Sequence, residues 1–133
     1  MAHWLLKTEP STYSYDDLAR EKSTRWDGIS NPVALKYLRS AKAGERALIY
    51  HTGDERAAVG IAELTSAAYD DPKNPKLAVI DLKAVEKLAA PVELATLKAE
   101  ALFRESPLVR QGRLSFVPLT EEQYRRVLQL AKK

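Results

Sequence analysis

Apolar residues fall along the chain in short blocks, and the blocks carry two different periods. Trp4, Leu5 and Leu6 form a first block that ends in Lys7, and the stretch 4–7 predicts a strand. Ser14 followed three residues later by Asp17 is a capping pattern, and it opens a short helix through Leu18. Asn31-Pro32 opens another, with Asn31 as cap and Pro32 at the first helical position. That helix carries Ala34, Leu35, Tyr37 and Leu38 and is expected to stop near Gly44. Residues 47–51, 58–64 and 77–85 predict three strands, the last with partial alternation. Residues 93–101 predict a helix, and 113–119 a late strand ended by Pro118. Thr120 and Gln123 then form a capping box for a final helix, whose buried stripe is Tyr124, Val127, Leu128 and Ala131.

The resulting order is strand, two helices, three strands, helix, strand, helix. Strands that follow one another through short turns predict an antiparallel sheet rather than parallel crossover units. A strongly bent sheet of about five to six mainly antiparallel strands, surrounded by helices, limits the exposed edges. The expected class is α+β, barrel-like. The segment 69–76, with Pro72, Asn74 and Pro75, is a turn between strands, so residues 1–133 form one domain. No internal repeat or low-complexity tract interrupts it.

Composition changes this picture little. With 133 residues, 45% hydrophobic and 29% charged, the chain is long enough for a core of its own. It contains no cysteine, which removes disulfides, thiol nucleophiles and cysteine-bound metals, and fits a reducing cytoplasm. No apolar run approaches a signal peptide or a membrane span, so a soluble, cytoplasmic protein without a membrane partner is expected. The net charge of +3 permits nucleic-acid binding without requiring it. Between Arg20 and Arg46 seven Lys or Arg stand against Glu21, Asp27 and Glu45. This is either a solvated face or a backbone-binding one.

Motifs for chemistry are absent. There is no phosphate-cradling glycine loop, no HExxH and no GxSxG. His3 and His51 lie in different predicted strands, without ligand spacing. No catalytic residue, metal or cofactor is therefore expected. Polar and aromatic residues instead gather at strand ends and in the loop after Trp26: Lys7-Thr8-Glu9-Pro10, Trp26-Asp27-Gly28-Ile29-Ser30-Asn31, Tyr50-His51-Thr52 and Arg113-Leu114-Ser115. Such places are where a barrel presents a binding site.

These segments resemble the EVE domain family of the PUA-like superfamily. The matching pieces are Trp4-Leu5-Leu6-Lys7-Thr8-Glu9-Pro10, Tyr13-Ser14 with Asp17-Leu18, and Trp26-Asp27-Gly28-Ile29 with Asn31. They continue with Leu38-Arg39, Gly44-Glu45, Tyr50-His51-Thr52, Val59-Gly60-Ile61-Ala62, Tyr69 with Asp71-Pro72, and Arg113-Leu114-Ser115 with Val117-Pro118. They run in the family's order along the whole chain. Three departures stand out: Thr8 replaces a frequent Ser, keeping the hydroxyl, Ser30 replaces a frequent Arg, removing a cation at the rim, and the longer insert that some relatives carry after Tyr50-His51-Thr52 is missing. The resemblance implies a PUA-like barrel whose pocket accepts a nucleobase taken out of its stack. Related YTH domains hold methylated adenine in an aromatic cage, and EVE-like proteins are linked to modified cytosines in DNA and to modified RNA. The implied partner is DNA or RNA carrying a modified base, in company with restriction or RNA-modification machinery, and bound by a monomer.

Individual residues carry two readings. Trp26, in a loop between two helices, is either a stacking platform or a core plug. Gly28 lets backbone approach a flat ligand or simply makes a turn. Asn31 either reads a base edge or caps its helix. Ile29 lies in the same segment. Lys7, Thr8 and Glu9 are able to contact a phosphate, a ring atom and an exocyclic amine, or to form a solvated strand end. Tyr50, His51 and Ser115 either complete the wall or serve the core. Arg25, Lys36, Arg39 and Arg113 are the expected phosphate contacts. A competing reading makes Lys7, Thr8 and Glu9 the machinery of a small ASCH-type amidohydrolase acting on a modified nucleoside, although neighbours on a strand point to opposite sides.

Overall fold

The computed structural model describes residues 2–112 and 114–131. The strands are β1 (His3–Thr8), β2 (Ser23–Trp26), β3 (Arg46–His51), β4 (Ala57–Leu64), β5 (Tyr69–Asp71), β6 (Asn74–Glu93) and β7 (Phe116–Leu119). The helices are α1 (Tyr15–Glu21), α2 (Pro32–Ser40), α3 (Leu94–Lys98), α4 (Pro107–Arg110) and α5 (Glu121–Ala131), with one 3-10 turn at Ala101–Phe103. The strands form one sheet in the order β2-β6-β4-β3-β1-β7, with β5 on β6. All pairs are antiparallel except β1 with β3.

The α+β expectation holds. The segment 69–76 is not all turn, because β5 takes Tyr69–Asp71 and β6 begins at Asn74, and α4 is a helix that periodicity did not predict. Two further differences bear on the site. The first is β2. It has four residues and only Trp26 among them is buried, too short for a pattern to register. Trp26 therefore ends a strand, paired with Ile80, rather than lying in a loop between helices. The second is the length of β6, which runs 20 residues to Glu93. Its far half pairs with β4 through register shifts, including one between Ala58 and Gly60, where the partner on β6 jumps from Val92 to Lys87. Extra residues on one strand bend it, and the bend wraps β6 around the core. The residues 93–101 are correspondingly less helical than expected, with α3 confined to Leu94–Lys98. The sheet is strongly curved but open, with β2 and β7 at its ends. Helix α2 contacts both β7 and β6, and so covers the gap that a closed barrel would seal with hydrogen bonds.

The caps behave as the sequence predicts. Ser14 and Asp17 exchange side-chain and backbone hydrogen bonds. Asn31 Oδ1 accepts from Val33 N and Ala34 N at 2.8 and 3.2 Å. Thr120 and Gln123 close a second capping box, both bonds at 3.0 Å. Helix α2 ends earlier than expected, at Ser40. Residues 114 and 115 precede β7 rather than belonging to it, and Arg113 lies outside the described residues.

Two polar devices lock the core. Glu45 is buried, and its carboxylate accepts from Trp4 Nε1 at 2.9 Å, Lys42 N at 2.8 Å and Ala2 N at 3.1 Å. Three donors offset the cost of burying that charge. Gly60 lies under the Tyr15 ring: a Cβ there would stand 2.3 Å from Tyr15 Cε1. Only glycine lets α1 settle this deeply on β4, and Tyr15 then donates its hydroxyl to the Ile61 carbonyl at 2.9 Å.

Candidate nucleobase site

A hollow of about 520 Å³ opens beside the end of β1 and the end of β2. It is lined by Lys7, Thr8, Thr12, Tyr13, Thr24, Arg25, Trp26, Asp27 and Gly28. That volume falls within the roughly 300–1,000 Å³ range of small-ligand sites. The end of β1 delivers Lys7 and Thr8, and the end of β2 delivers Thr24 to Trp26. Gly28 then turns the chain with φ +82°, a left-handed conformation that favours glycine, and its Cα faces open space.

Trp26 is only 7% exposed, so most of the indole is core and the remainder borders the hollow. The indole therefore packs into the core and presents its remaining edge to the hollow. Tyr13 meets it in a T-shaped contact, centroids 6.0 Å apart and planes at 80°. The Tyr13 hydroxyl donates to Glu21. Burial, followed by that carboxylate contact, raises the Tyr13 phenol above its usual range.

Lys7 pairs in register with Tyr50, and its Nζ stands 5.6 Å from the centre of that ring. The ammonium donates to the Gly112 carbonyl at 3.0 Å. It has no ion pair with a carboxylate among the described residues. Burial lowers its pKa from the ordinary lysine value. Thr8 Oγ1 donates to the Tyr13 carbonyl at 2.7 Å, which ties the chain reversal after β1 to the hollow's wall.

The structure thus gathers Lys7, Thr8, Arg25, Trp26 and Gly28 and leaves the other predicted residues elsewhere. Ile29 is buried in the core. Asn31 is the α2 cap and borders a separate hollow with Val33 and Arg110. Glu9 is exposed and accepts from Ser11 Oγ at 3.1 Å and Thr52 Oγ1 at 3.2 Å. Tyr50 is buried. His51 is buried and serves the fold: its Nε2 accepts from Tyr15 N at 3.0 Å, and its Nδ1 lies 2.6 Å from Glu55 Oε1. Ser115 gives its carbonyl to Lys7 N at 2.9 Å. Lys36 is exposed on α2. Arg39 is turned to the Lys76 carbonyl and to Asp70, away from the hollow's lining.

Sequence reading did not single out Thr12, Tyr13, Thr24 and Asp27 for the lining. Thr24 and Trp26 stand two apart on one strand, which places both on one face, but that signal exists only once β2 is known. Thr12 and Tyr13 arrive through the turn after Pro10, where Tyr13 N and Thr12 N both donate to the Glu9 carbonyl at 2.9 Å.

Among the described residues no helix is long and apolar enough to cross a membrane. The family model described as EVE domain matches residues 2–130. Human thymocyte nuclear protein 1 is 29% identical over 168 aligned residues, covering 99% of this chain and 75% of that protein. The crystal structure of human THYN1 in complex with 5-methylcytosine-containing DNA superimposes with a TM-score of 0.91 at 30% identity, covering 100% of this chain and 99% of that one. The Rhodopseudomonas palustris protein Rpa0253 gives 0.93 at 34% identity, over 99% and 94% of the two chains. An ASCH protein of Zymomonas mobilis shares the fold at TM-score 0.60 and 14% identity, over 96% and 94% of the two chains.

Proposed function

The chain belongs to the EVE domain family, and on that premise we propose that it is a non-catalytic nucleic-acid-binding module that takes one modified base, flipped out of its stack, into the hollow beside Trp26. The favoured ligand is 5-methylcytosine in DNA, because a relative 30% identical over the whole of this chain is known in complex with DNA containing that base. The observation that carries the reading is the hollow itself. It has the volume of a small-ligand site, is bordered by Trp26 and Tyr13, and has Lys7 and Arg25 in its lining for backbone phosphate. Stacking on an aromatic ring stabilises a bound base by roughly 1–3 kcal/mol, enough to offset much of the cost of unstacking.

An amidohydrolase reading finds no support in the geometry. Its three residues turn to different partners: Lys7 to the Gly112 carbonyl, Thr8 to the Tyr13 carbonyl, and Glu9 to Ser11 and Thr52. Among the described residues the hydroxyl of Thr8 meets the Tyr13 carbonyl and no side-chain base, and an activated nucleophile needs one.

Burying one methyl group adds only about 0.8 kcal/mol, roughly fourfold in affinity. Larger selectivity requires a contact that the unmodified base leaves unmet. Fluorescence titration tests the proposal, using short DNA and RNA carrying cytosine, 5-methylcytosine, 5-hydroxymethylcytosine or N6-methyladenine at one fixed salt concentration. Wild type should prefer 5-methylcytosine DNA, and Trp26→Ala should lose that preference. Equal affinity for every oligonucleotide in both proteins would remove the proposal.

A further inference from the structure

A second hollow, about 220 Å³, shares Lys7 with the Trp26 hollow. Among the described residues its charged lining residues are Lys7, Arg56 and Lys98, with no carboxylate in the lining. None of these three cations is in an ion pair among the described residues, whereas Arg20, Arg46, Lys87 and Arg126 each face a carboxylate. Two of the cations donate to backbone carbonyls, Lys7 to Gly112 and Arg56 to Gly53. Arg56 adopts a left-handed φ of 45°, and its Nε donates to the Gly53 carbonyl at 3.3 Å, fixing the guanidinium over the turn before β4. The Arg56 carbonyl accepts from Leu94 N at 2.8 Å, which ties that turn to α3 and hence to Lys98. Three basic residues line one small concavity, and at its rim the Glu9 carboxylate accepts from Thr52 Oγ1 at 3.2 Å beside Gly53.

We propose that this hollow binds a phosphodiester group of the strand whose base occupies the Trp26 hollow, with Lys7 common to both sites. The assignment of the anion to that strand rests on the base-binding reading; the anion site itself does not. Base recognition and backbone anchoring would then be separate contacts, one setting selectivity and the other setting affinity and salt dependence.

The test uses the full chain with Arg56→Gln, Lys98→Gln and the double variant, all at exposed positions, with folding checked by amide NMR spectra. Inorganic phosphate is titrated first. The amides of Gly53, Arg56 and Lys98 should shift in wild type and not in the double variant. A 5-methylcytosine duplex is then titrated across a salt series. The slope of log affinity against log salt should fall by up to about 0.9 in the double variant, the share of the one phosphate this hollow neutralises, while the ratio of modified to unmodified affinity stays constant. Trp26→Ala should do the converse. Loss of slope without any effect of Trp26→Ala would sink the base reading and leave the anion site standing. An unchanged slope in the double variant overturns the strand contact, even where inorganic phosphate shifts the amides.

Discussion

Tyr13 and Trp26 meet in a T, ring centroids 6.0 Å apart and planes at 80°. Both border the same hollow, so the Tyr13 ring sets the attitude of the indole. Such pairs contribute about 0.5–1.5 kcal/mol beyond simple burial. Tyr13→Ala should therefore weaken binding of a 5-methylcytosine oligonucleotide by about three- to tenfold, whereas Tyr13→Phe, which keeps the ring and loses only the Glu21 contact, should stay within about twofold. Fluorescence titration of both variants checks this, and equal losses would show that the hydroxyl rather than the ring matters.

How far the site is legible in the sequence follows from which signals are local. The three helix caps lie within four residues each, and all of them stand where the sequence puts them. The hollow is different. Lys7 and Trp26 are 19 positions apart in the chain, and no periodicity links them. The family resemblance brought them together, not hydrophobic pattern. Strand β2 escaped because Ser23, Thr24 and Arg25 are polar and the element is held by pairing to β6. The same limit explains His51: a histidine at a strand end looks available for a ligand until α1 is seen to begin on its Nε2.

That contact gives a prediction that separates two roles. His51 Nε2 accepts the first N–H of α1, from Tyr15, and its ring is buried. Leaving a buried backbone donor without a partner costs about 1–3 kcal/mol. His51→Ala should lose stability of that order in urea unfolding, while the affinity ratio of modified to unmodified DNA stays unchanged at a temperature where the variant is folded. A changed ratio at full occupancy of the folded state would return His51 to the binding wall.

Gly60→Ala should be among the most damaging single-methyl additions in the chain. The new Cβ would stand 2.3–2.5 Å from three atoms of the Tyr15 ring, which is only 2% exposed and held at its hydroxyl by Ile61. Overpacking of this kind costs about 1–3 kcal/mol or more. Tyr15→Leu opens the same space, so the double variant should be less destabilised than the sum of the two single ones. Urea midpoints of the four proteins measure the coupling, and strict additivity would show that Tyr15 is not what confines position 60.

His3 links stability to pH. Its imidazole is 8% exposed and stacks on Tyr124 with centroids 4.3 Å apart. Its Nδ1 is buried without a partner among the described residues. Burial lowers its pKa from 6.5, opposed by Glu121 and Glu45 and assisted by the N-terminus and Arg125. In the unfolded chain the ring takes up its proton near pH 6.5, before the folded chain does, so the unfolded state binds more protons in the window just below that value. The neutral ring's contribution is thus fully present above about pH 6.5 and is lost as the pH falls toward the lower folded value. His3→Phe keeps an aromatic ring against Tyr124 and cannot titrate. Urea unfolding at pH 7.5 and pH 5 should show a larger loss for wild type than for His3→Phe. Equal losses in the two proteins would assign the acid sensitivity to other groups.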